Sequence, residues 1–564
     1  MLHTVQTVRF EPKAYASTRP ARVLLVGYED QDNLGLRYLM SALAQAGHEA
    51  RMVEFSVDAA GLIAAVNAFD PDVVGLSLIF QYMTASYISV IDALRSSGYR
   101  GHVTMGGHYP SFSYAEVLDK AVGLDSIVRF EGESTLCSLA AAIADGRDWI
   151  GLDGIACRKA GRVKANCLRT VIDDLDSLPR PDRSTIEYSD DPLETASVLG
   201  SRGCPWKCSF CSIRPFYEKQ GGALRRLRDP ECVVDELEEL HETEGVRLFL
   251  FQDDDFLATG KRARDWATAI SASVRRRGLA GRIAYKISCR SDEIRDDVLA
   301  DLVSGGLTHV YMGVESGDEH GLKLMEKLIV PETHLKAGRI LRQHDLSFDF
   351  GFMLLDPDST FERIRINIDF LQRFIGDGWS VAPFCRMLPY AGTPIRDRLQ
   401  SEGRLRGTEF EPDYVFLDPK IDVFYEFMLR AFHRRNFTSE GLSHLFRAML
   451  FEAWAKLDGL AVYTGEQKGR LRYLAAVCNG LAAYTLRSAI AIIEATPLQA
   501  LSADMPALRL LVENELKQEL SIEEELLSIY RATRAPSNTG LAGGFDRSWT
   551  FATDTQPVPA MSDC

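Results

Sequence analysis

The sequence has neither a surplus of basic residues nor a long uncharged apolar run. Its 64 lysines and arginines are outnumbered by 79 aspartates and glutamates, which leaves a net charge of −15. Because general nucleic-acid binding needs a basic face, we expect no nucleic-acid partner. The most apolar late stretch, residues 474–493, is interrupted by Asn479 and Arg487. A membrane span needs about 20 nearly uncharged apolar residues, so a buried helix is predicted here and no membrane association.

Two features of secreted proteins are also missing. Residues 1–23 contain no apolar core of the kind that a secretory signal carries. The 11 cysteines are odd in number and scattered along the chain, which fits a reducing compartment better than a disulfide framework. These observations predict a cytoplasmic protein.

A regular alternation of strand-like and helix-like segments begins after an irregular arm predicted over residues 1–20. Apolar runs such as 22–28 and 71–79 alternate with amphipathic stretches such as 35–48. Continuous apolar strands between amphipathic helices predict a parallel sheet that is covered on both faces. The sequence therefore predicts an α/β fold that begins with a doubly wound, Rossmann-like domain over residues 21–150.

A second alternation follows a linker predicted over residues 151–190. Six strand-like runs within 191–400 predict a partial (β/α)6 barrel, whose chemistry is expected at the carboxyl ends of the strands. Beyond residue 400 the strand signals fade, and we predict an α-helical domain over 401–535 and a disordered tail over 536–564. The C-terminal helices are expected to cap the barrel mouth and to shape a substrate pocket.

Three cysteines lie close together on the loop after the first predicted barrel strand. Cys204, Cys208 and Cys211 have the spacing C-x3-C-x2-C, and thiolates are ligands for iron–sulfur clusters and for zinc. A structural zinc ion needs four protein ligands, and no further Cys or His stands nearby in the sequence. Three thiolates on a [4Fe-4S] cluster leave one iron open for an exogenous ligand. A zinc site that is completed by a distant histidine is the alternative.

This loop, with Phe210 just before the last cysteine, resembles the radical S-adenosylmethionine (SAM) superfamily. In that family the open iron binds the amino and carboxylate groups of SAM, and one electron from the cluster cleaves SAM to a 5′-deoxyadenosyl radical. The resemblance extends over residues 195–400, although Ala391 stands where the family usually has proline or glycine. The segments that carry it are LFQDDDF (250–256), GVESG (313–317), GFMLLDP (351–357) and LPYAGTPI (388–395).

The resemblance implies a set of SAM-binding residues. Gln252 or Asp253 would accept hydrogen bonds from the amine of SAM. Ser288 and Arg290 would hold its carboxylate or ribose, Arg290 through a charge-assisted contact, and Glu315 would accept from the ribose hydroxyls. The alternative for the acidic run 253–255 is a solvated, helix-capping segment. The nearby basic run 225–228 is expected to be solvated or structural.

The doubly wound domain has no G-x-G-x-x-G loop, so a dinucleotide ligand is not expected. Its sequence instead resembles the cobalamin-binding pattern D-x-H-x-x-G, S-x-L, G-G. The residues that match are Asp30, Gly35, Ser77, Gly106 and Gly107, while Asp32 replaces the family's histidine and Ile79 its leucine. The segment RFEGES (129–134) also resembles one that such proteins carry after the double glycine.

The replacement of the histidine by Asp32 changes the expected cobalt chemistry. A carboxylate is a hard ligand for corrin-bound cobalt, so we predict cobalamin with its own base displaced and no histidine lower ligand. Ser77 would meet the displaced nucleotide tail, and the two glycines would let the backbone approach it closely. The alternative is that these residues only form tight turns. His108, which follows the glycines, is expected on a surface loop, with an approach to the corrin as the second possibility.

The two resemblances together imply a cobalamin-dependent radical SAM methyltransferase. In this family SAM methylates the cobalamin and also yields the radical, and methylcobalamin then supplies a methyl group to an unactivated carbon of a small-molecule or carrier-bound substrate. Antibiotics and other secondary metabolites are common substrates, and an external flavodoxin- or ferredoxin-type protein donates the electron. The alternative is a cyclisation, ring contraction or other rearrangement with the same cofactors. A cobalamin sensor would not explain the cysteine loop, and a tRNA-modifying enzyme would need a basic RNA-binding extension.

Overall fold

The computed structural model describes residues 7–29, 31–189, 191–438 and 440–533. The first part of the predicted arm, Asp30 and the predicted tail lie outside the described residues. The rest of the arm packs on the first domain, where Phe10 is buried and its amide donates to Ser177 Oγ at 2.8 Å.

The first domain is a seven-stranded sheet in the order β2-β1-β3-β4-β5-β6-β7, with helices on its faces. Strands β1 to β5 are parallel, as predicted, whereas β6 and β7 are antiparallel. These last two strands lie in the predicted linker, so the sheet extends beyond residue 150. The strands are β1 Arg22–Gly27, β2 Glu49–Glu54, β3 Val73–Ser77, β4 His102–Gly106, β5 Ser126–Val128, β6 Ile155–Lys159 and β7 Arg162–Ala165; the helices are α1 Leu34–Gln45, α2 Ala60–Phe69, α3 Thr84–Ser96, α4 His108–Phe112, α5 Tyr114–Lys120 and α6 Glu133–Ala144.

The second domain is a six-stranded parallel half-barrel, which confirms the predicted fold class. Its order is β15-β14-β13-β12-β11-β8, and a small antiparallel pair, β9 with β10, precedes and follows the cysteine loop. The strands are β8 Thr195–Val198, β9 Ser201–Arg202, β10 Arg226–Leu227, β11 Leu248–Phe251, β12 Ala284–Arg290, β13 Leu307–Glu315, β14 Ser347–Leu355 and β15 Cys385–Arg386; the helices are α7 Ile213–Gln220, α8 Pro230–Glu244, α9 Lys261–Arg276, α10 Asp296–Ser304, α11 Glu319–Leu324, α12 Pro331–Gln343, α13 Phe361–Ile375 and α14 Pro394–Ser401.

The C-terminal part is helical, as predicted, after one short antiparallel pair of strands. The elements are β16 Leu405–Gly407, β17 Pro412–Tyr414, α15 Pro419–Phe437, α16 Leu442–Trp454, α17 Gly465–Ala495 and α18 Pro506–Thr533. In the described part of the chain, α17 is the one helix long and apolar enough to span a membrane, and half of its most apolar window is buried. Core helices of folded proteins have the same properties, and α17 packs against α13, α15 and α18.

Helix α16 differs from the expected cap on the barrel mouth. All of its residues are buried, and Phe451 packs against Leu248 and Ala284, which begin strands β11 and β12. Thr308, near the start of β13, donates to the carbonyl of Trp454 at 2.5 Å. The helix therefore packs against the amino-terminal ends of the strands, opposite the mouth, because its apolar residues complete the interior of an open half-barrel.

Candidate active site

The cysteine loop lies between β9 and α7, at the carboxyl end of β8. Its three thiols are partly buried and none is in a disulfide. The loop is fixed by two other loops of the same mouth, because Ser209 donates its amide to Met325 O and accepts from the Ile395 amide, both at 3.0 Å. Cys204, Cys208 and Cys211 therefore lie on a loop that backbone hydrogen bonds fix to two neighbouring segments of the barrel.

Burial raises the pKa of all three thiols, that of Cys211 to about 12. Such thiols are protonated at neutral pH unless a metal displaces the proton. Two cations, Lys327 and Arg290, oppose this effect at Cys208. Three free thiols with adjacent cations fit a negatively charged iron–sulfur centre. Within the described residues no group of three or more His, Cys, Asp or Glu side chains is placed to hold a single metal ion.

Arg290 lies directly against the cysteine loop. Its guanidinium is 3.7 Å from the centre of the Trp206 ring, and its Nη1 is 3.9 Å from Cys208 Sγ. The same side chain donates to the carbonyl of Lys327 and to Asp292. Its role toward SAM stays a prediction, while its contacts in the structure brace the loop.

Sequence reasoning missed three residues of this site, Trp206, Glu293 and Lys327. Trp206 Nε1 donates to Asp255 Oδ2 and to Glu293 Oε1, both at 3.0 Å, and so links the cysteine loop to the ends of β11 and β12. Burial, and then the neighbouring Asp255, raise the pKa of Glu293 to about 9. The signal for Trp206 was its place between the first two cysteines, whereas nothing in the sequence pointed to Lys327.

The predicted SAM residues of the second strand are occupied with protein contacts. Both carboxylate oxygens of Asp253 accept hydrogen bonds, from the Gly200 amide at 2.9 Å and from Ser201 Oγ. Burial raises the pKa of Asp253 to about 6. Gln252 Nε2 donates to Ser197 Oγ at 3.1 Å. Asp253 and Asp255 are buried, so a solvated acidic run is wrong for these two residues.

Glu315 lies at the end of β13 in a left-handed conformation with φ of 67°. Non-glycine residues seldom adopt this conformation, and it often marks functional sites. Its Oε1 is 3.5 Å from Lys327 Nζ. A Cβ on Gly313 would lie 2.9 Å from the same oxygen and one on Gly351 3.1 Å from the other, so both glycines make room for the carboxylate.

The remaining predicted residues of the barrel have simpler surroundings. Ser288, on β12, is half-buried, and its carbonyl accepts from the Phe256 amide at 2.8 Å. Phe210 is half-buried and packs against the barrel core. Of the basic run 225–228, Arg226 and Arg228 are buried in ion pairs, which agrees with a structural role.

The predicted cobalamin residues gather at the carboxyl edge of the first sheet. Of these, Ser77 and Gly106 lie in register on the neighbouring strands β3 and β4, and Gly27, which was not predicted, lies in register with them on β1. Gly107 has φ of 110°, and a Cβ there would lie 2.1 Å from the carbonyl oxygen of Leu78. The double glycine thus allows two loops to approach closely at the edge where a doubly wound sheet binds ligands, which fits a bound cofactor tail.

The loop between β1 and α1 carries the other predicted cobalamin residues. Gly35 is exposed in the first turn of α1, and Asp30 lies outside the described residues. Asp32 Oδ2 accepts from the Ser197 amide at 2.7 Å and lies 3.3 Å from Arg183 Nη1. The side chain in the histidine position therefore contacts the barrel domain.

His108 differs from the expected surface residue. Its ring stacks on Phe216 of α7 at 4.3 Å, and its Nε2 is buried without a hydrogen-bond partner in the described residues. Burial lowers the pKa of His108 to about 4. The neutral ring is thus part of the contact between the first domain and the helix that follows the cysteine loop.

A buried ion network joins the segment RFEGES to the cysteine loop. Glu131 accepts from Arg226 at 2.8 and 3.0 Å and lies 3.3 Å from Arg202, which also pairs with Glu133 at 2.7 Å. Burial raises the pKa of Glu131, but Arg202 and Arg226 outweigh it and the net shift is downward. Since Arg202 stands two residues before Cys204, the first domain contacts the base of the cysteine loop directly.

Comparison with known proteins identifies both domains. Residues 22–140 match the B12 binding domain model, and residues 198–371 match the radical SAM superfamily model. The cobalamin-dependent radical SAM enzyme OxsB has the same fold, with a TM-score of 0.67 at 17% identity over 91% of this chain and 80% of that chain.

Two curated relatives carry informative names. The uncharacterized methyltransferase PH0819 of Pyrococcus horikoshii is 28% identical over 73% of this chain and 86% of its own length. The anaerobic magnesium-protoporphyrin IX monomethyl ester cyclase of Cereibacter sphaeroides is 27% identical over 58% of this chain and 54% of its own length.

The matches to the two domain models, together with the cysteine loop and the glycine-lined edge described above, confirm the predicted cofactors: a [4Fe-4S] cluster, SAM and cobalamin. The chain belongs to the radical SAM enzymes that carry an N-terminal cobalamin-binding domain.

Proposed function

We propose that this enzyme methylates an unactivated carbon of a small-molecule substrate, of the kind found in secondary metabolism. When bound, the cluster and SAM supply a 5′-deoxyadenosyl radical, and cobalamin supplies the methyl group. The observation that carries the proposal is the direct docking of the corrin-binding edge onto the cysteine loop, through Glu131, Glu133 and Arg202. Two cofactor sites that share one ion network are suited to act on one substrate.

The chain's own residues would bind, orient and shield the cofactors. Cys204, Cys208 and Cys211 would hold three irons, and the cations Arg290 and Lys327 would offset the negative charge of the thiolates. Gly106 and Gly107 would admit the cobalamin tail. The stacked pair of His108 and Phe216, with Phe112 and Phe130 around it, makes the contact between the two domains apolar and excludes water.

The proposal is tested by anaerobic reconstitution with iron, sulfide, cobalamin and SAM. With a flavodoxin- or ferredoxin-type donor we expect both 5′-deoxyadenosine and S-adenosylhomocysteine. With methyl-deuterated SAM and a panel of candidate acceptors, the label should enter the product. Deoxyadenosine without any S-adenosylhomocysteine would overturn methyl transfer.

A second function, a cyclisation or rearrangement without methylation, is favoured by the likeness to the magnesium-protoporphyrin ester cyclase. The same assay separates the two functions, because rearrangement adds no carbon to the product. It would consume SAM only as the radical source.

A further inference from the structure

The side chain of Asp32 faces the barrel domain rather than the edge of its own sheet. Asp32 Oδ2 accepts a hydrogen bond from the Ser197 amide at 2.7 Å, and Arg183 Nη1 lies 3.3 Å from the same oxygen. Its backbone carbonyl accepts from Arg37 Nε at 2.6 Å. The carboxylate is therefore committed to contacts outside the cobalamin-binding domain.

The partner of Asp32 lies on the edge strand of the half-barrel. Strand β8 ends the sheet order, so its outward backbone groups have no neighbouring strand. Asp32 covers the amide of Ser197, and Arg183 covers its carbonyl at 2.7 Å. Arg183 is held in turn by Glu236 of α8 at 3.0 Å. The edge is thus completed by one side chain from the cobalamin-binding domain and one from the segment that joins the domains.

The loop that presents Asp32 turns sharply. Asp32 and the next residue, Asn33, both have positive φ, 67° and 36°, a left-handed conformation that aspartate and asparagine adopt more readily than other non-glycine residues. Strand β8 leads directly through β9 to Cys204. A continuous connection of hydrogen bonds and backbone therefore runs from the corrin-side loop to the base of the cysteine loop.

We propose that Asp32 is an interdomain positioning residue, which fixes the corrin-binding edge relative to the cluster through Ser197 and Arg183. The position that carries a cobalt-ligating histidine in related domains serves here to join two domains. The inference rests on the proposed pairing of the two cofactors in one reaction, but it holds for any substrate and for either proposed outcome.

The test is pulsed dipolar electron paramagnetic resonance between cob(II)alamin and the reduced cluster in the full, reconstituted chain. We expect a narrow distance distribution in the wild type and a distinctly broader one in Asp32→Ala, with an unchanged cobalt spectrum. Asp32→Asn should lie between them, because its amide oxygen still accepts from Ser197 N and Arg183 Nη1 but carries no negative charge to pair with the guanidinium. Asp92→Ala, at an exposed carboxylate on α3, should behave as the wild type.

In the resonance experiment, two results would overturn the proposal: a distribution in Asp32→Ala that matches the wild type, or a changed cobalt spectrum, which would make Asp32 a ligand. Amide hydrogen exchange on the cofactor-free chain gives a second readout, even if Asp32→Ala assembles its cofactors poorly. The Ser197 amide should exchange on the order of tenfold faster in Asp32→Ala, with α17 and α18 unchanged. An unchanged Ser197 rate in both variants also refutes the role. Failure of methyl transfer appears separately, as absence of S-adenosylhomocysteine in the wild type.

Discussion

The cysteine loop and the corrin-side edge are held in different ways. The backbone of Ser209 in the cysteine loop donates to the Met325 carbonyl and accepts from the Ile395 amide, and both partners belong to the same barrel domain. The corrin-side loops are fixed from outside, because Asp32 and Glu131 both bond to residues of the other domain. The cysteine loop thus has fixing contacts within its own domain in addition to the ion pairs of Arg202 with the first domain, whereas the corrin-side loops depend more on the contact between domains. Substitutions in the two regions should therefore have different effects, on the chemistry in one case and on stability and cofactor binding in the other.

A lesion in the cysteine loop should abolish chemistry and leave the other site intact. Replacing Cys208 by Ala removes one of three cluster ligands, so we expect complete loss of 5′-deoxyadenosine with unchanged cobalamin content. Chromatography of SAM cleavage products and the corrinoid absorbance measure the two effects. Cys167→Ala, at an exposed cysteine, is the control. Full deoxyadenosine output from Cys208→Ala would refute the cluster assignment.

A lesion in the interdomain network should act on stability and on both sites together. Glu131→Ala leaves Arg226 buried without its carboxylate, and breaking a buried ion pair from one side costs about 3–5 kcal/mol. Denaturant unfolding should show this loss, and cobalamin should be bound more weakly. Glu116→Ala, at an exposed residue of α5, should change neither. A loss below about 1 kcal/mol, the range of exposed pairs, would mean that the network does not hold the domains.

Gly107, the second residue of the double glycine, should tolerate no added side chain, both because of the space around it and because of its positive φ. An alanine at Gly107 would bring its Cβ within 2.1 Å of Leu78 O at φ of 110°, and we expect a loss of roughly 2 kcal/mol or more, with loss of cobalamin. Gly47→Ala is the matched control, because Gly47 has φ of 87° but no atom within 4 Å of the added Cβ. Unfolding curves and corrinoid titration compare the two variants. Equal losses would show that strain alone matters and that the close approach at Leu78 does not.

Sequence patterns predicted local features of the structure but not the contacts between segments that are far apart in the chain. The strands, most helices and the cysteine loop follow from patterns within a few residues. The bond from Ser197 to Asp32 joins residues 165 positions apart, and no periodicity encodes it. Helix α16 is the clearest case, because the C-terminal helices are expected at the barrel mouth and α16 packs at the opposite ends of the strands. Its polar side chains are paired inside the protein, since Arg447 meets Asp349 at 2.6 Å and Glu452 meets Tyr463 at 3.1 Å.

The smallest expected effect is a pH dependence of the contact between the domains. Burial lowers the pKa of His108 to about 4, below the ordinary value near 6.5. Between these values the unfolded chain binds the proton and the folded chain does not, so stability is lost as the pH falls from about 6.5 toward 4. His108→Phe keeps the stacking on Phe216 and removes the titration.

As the pH falls from about 6.5 to 4, the free energy of unfolding should decrease by about 1–2 kcal/mol less in His108→Phe than in the wild type. This value allows for the partial exposure of the ring. Denaturant midpoints at several pH values measure the difference, and His320→Phe, at an exposed histidine, is the control. Parallel curves for the wild type and His108→Phe would place the acid sensitivity elsewhere. A difference that disappears in His108→Phe but persists in His320→Phe would locate the acid sensitivity at the domain contact.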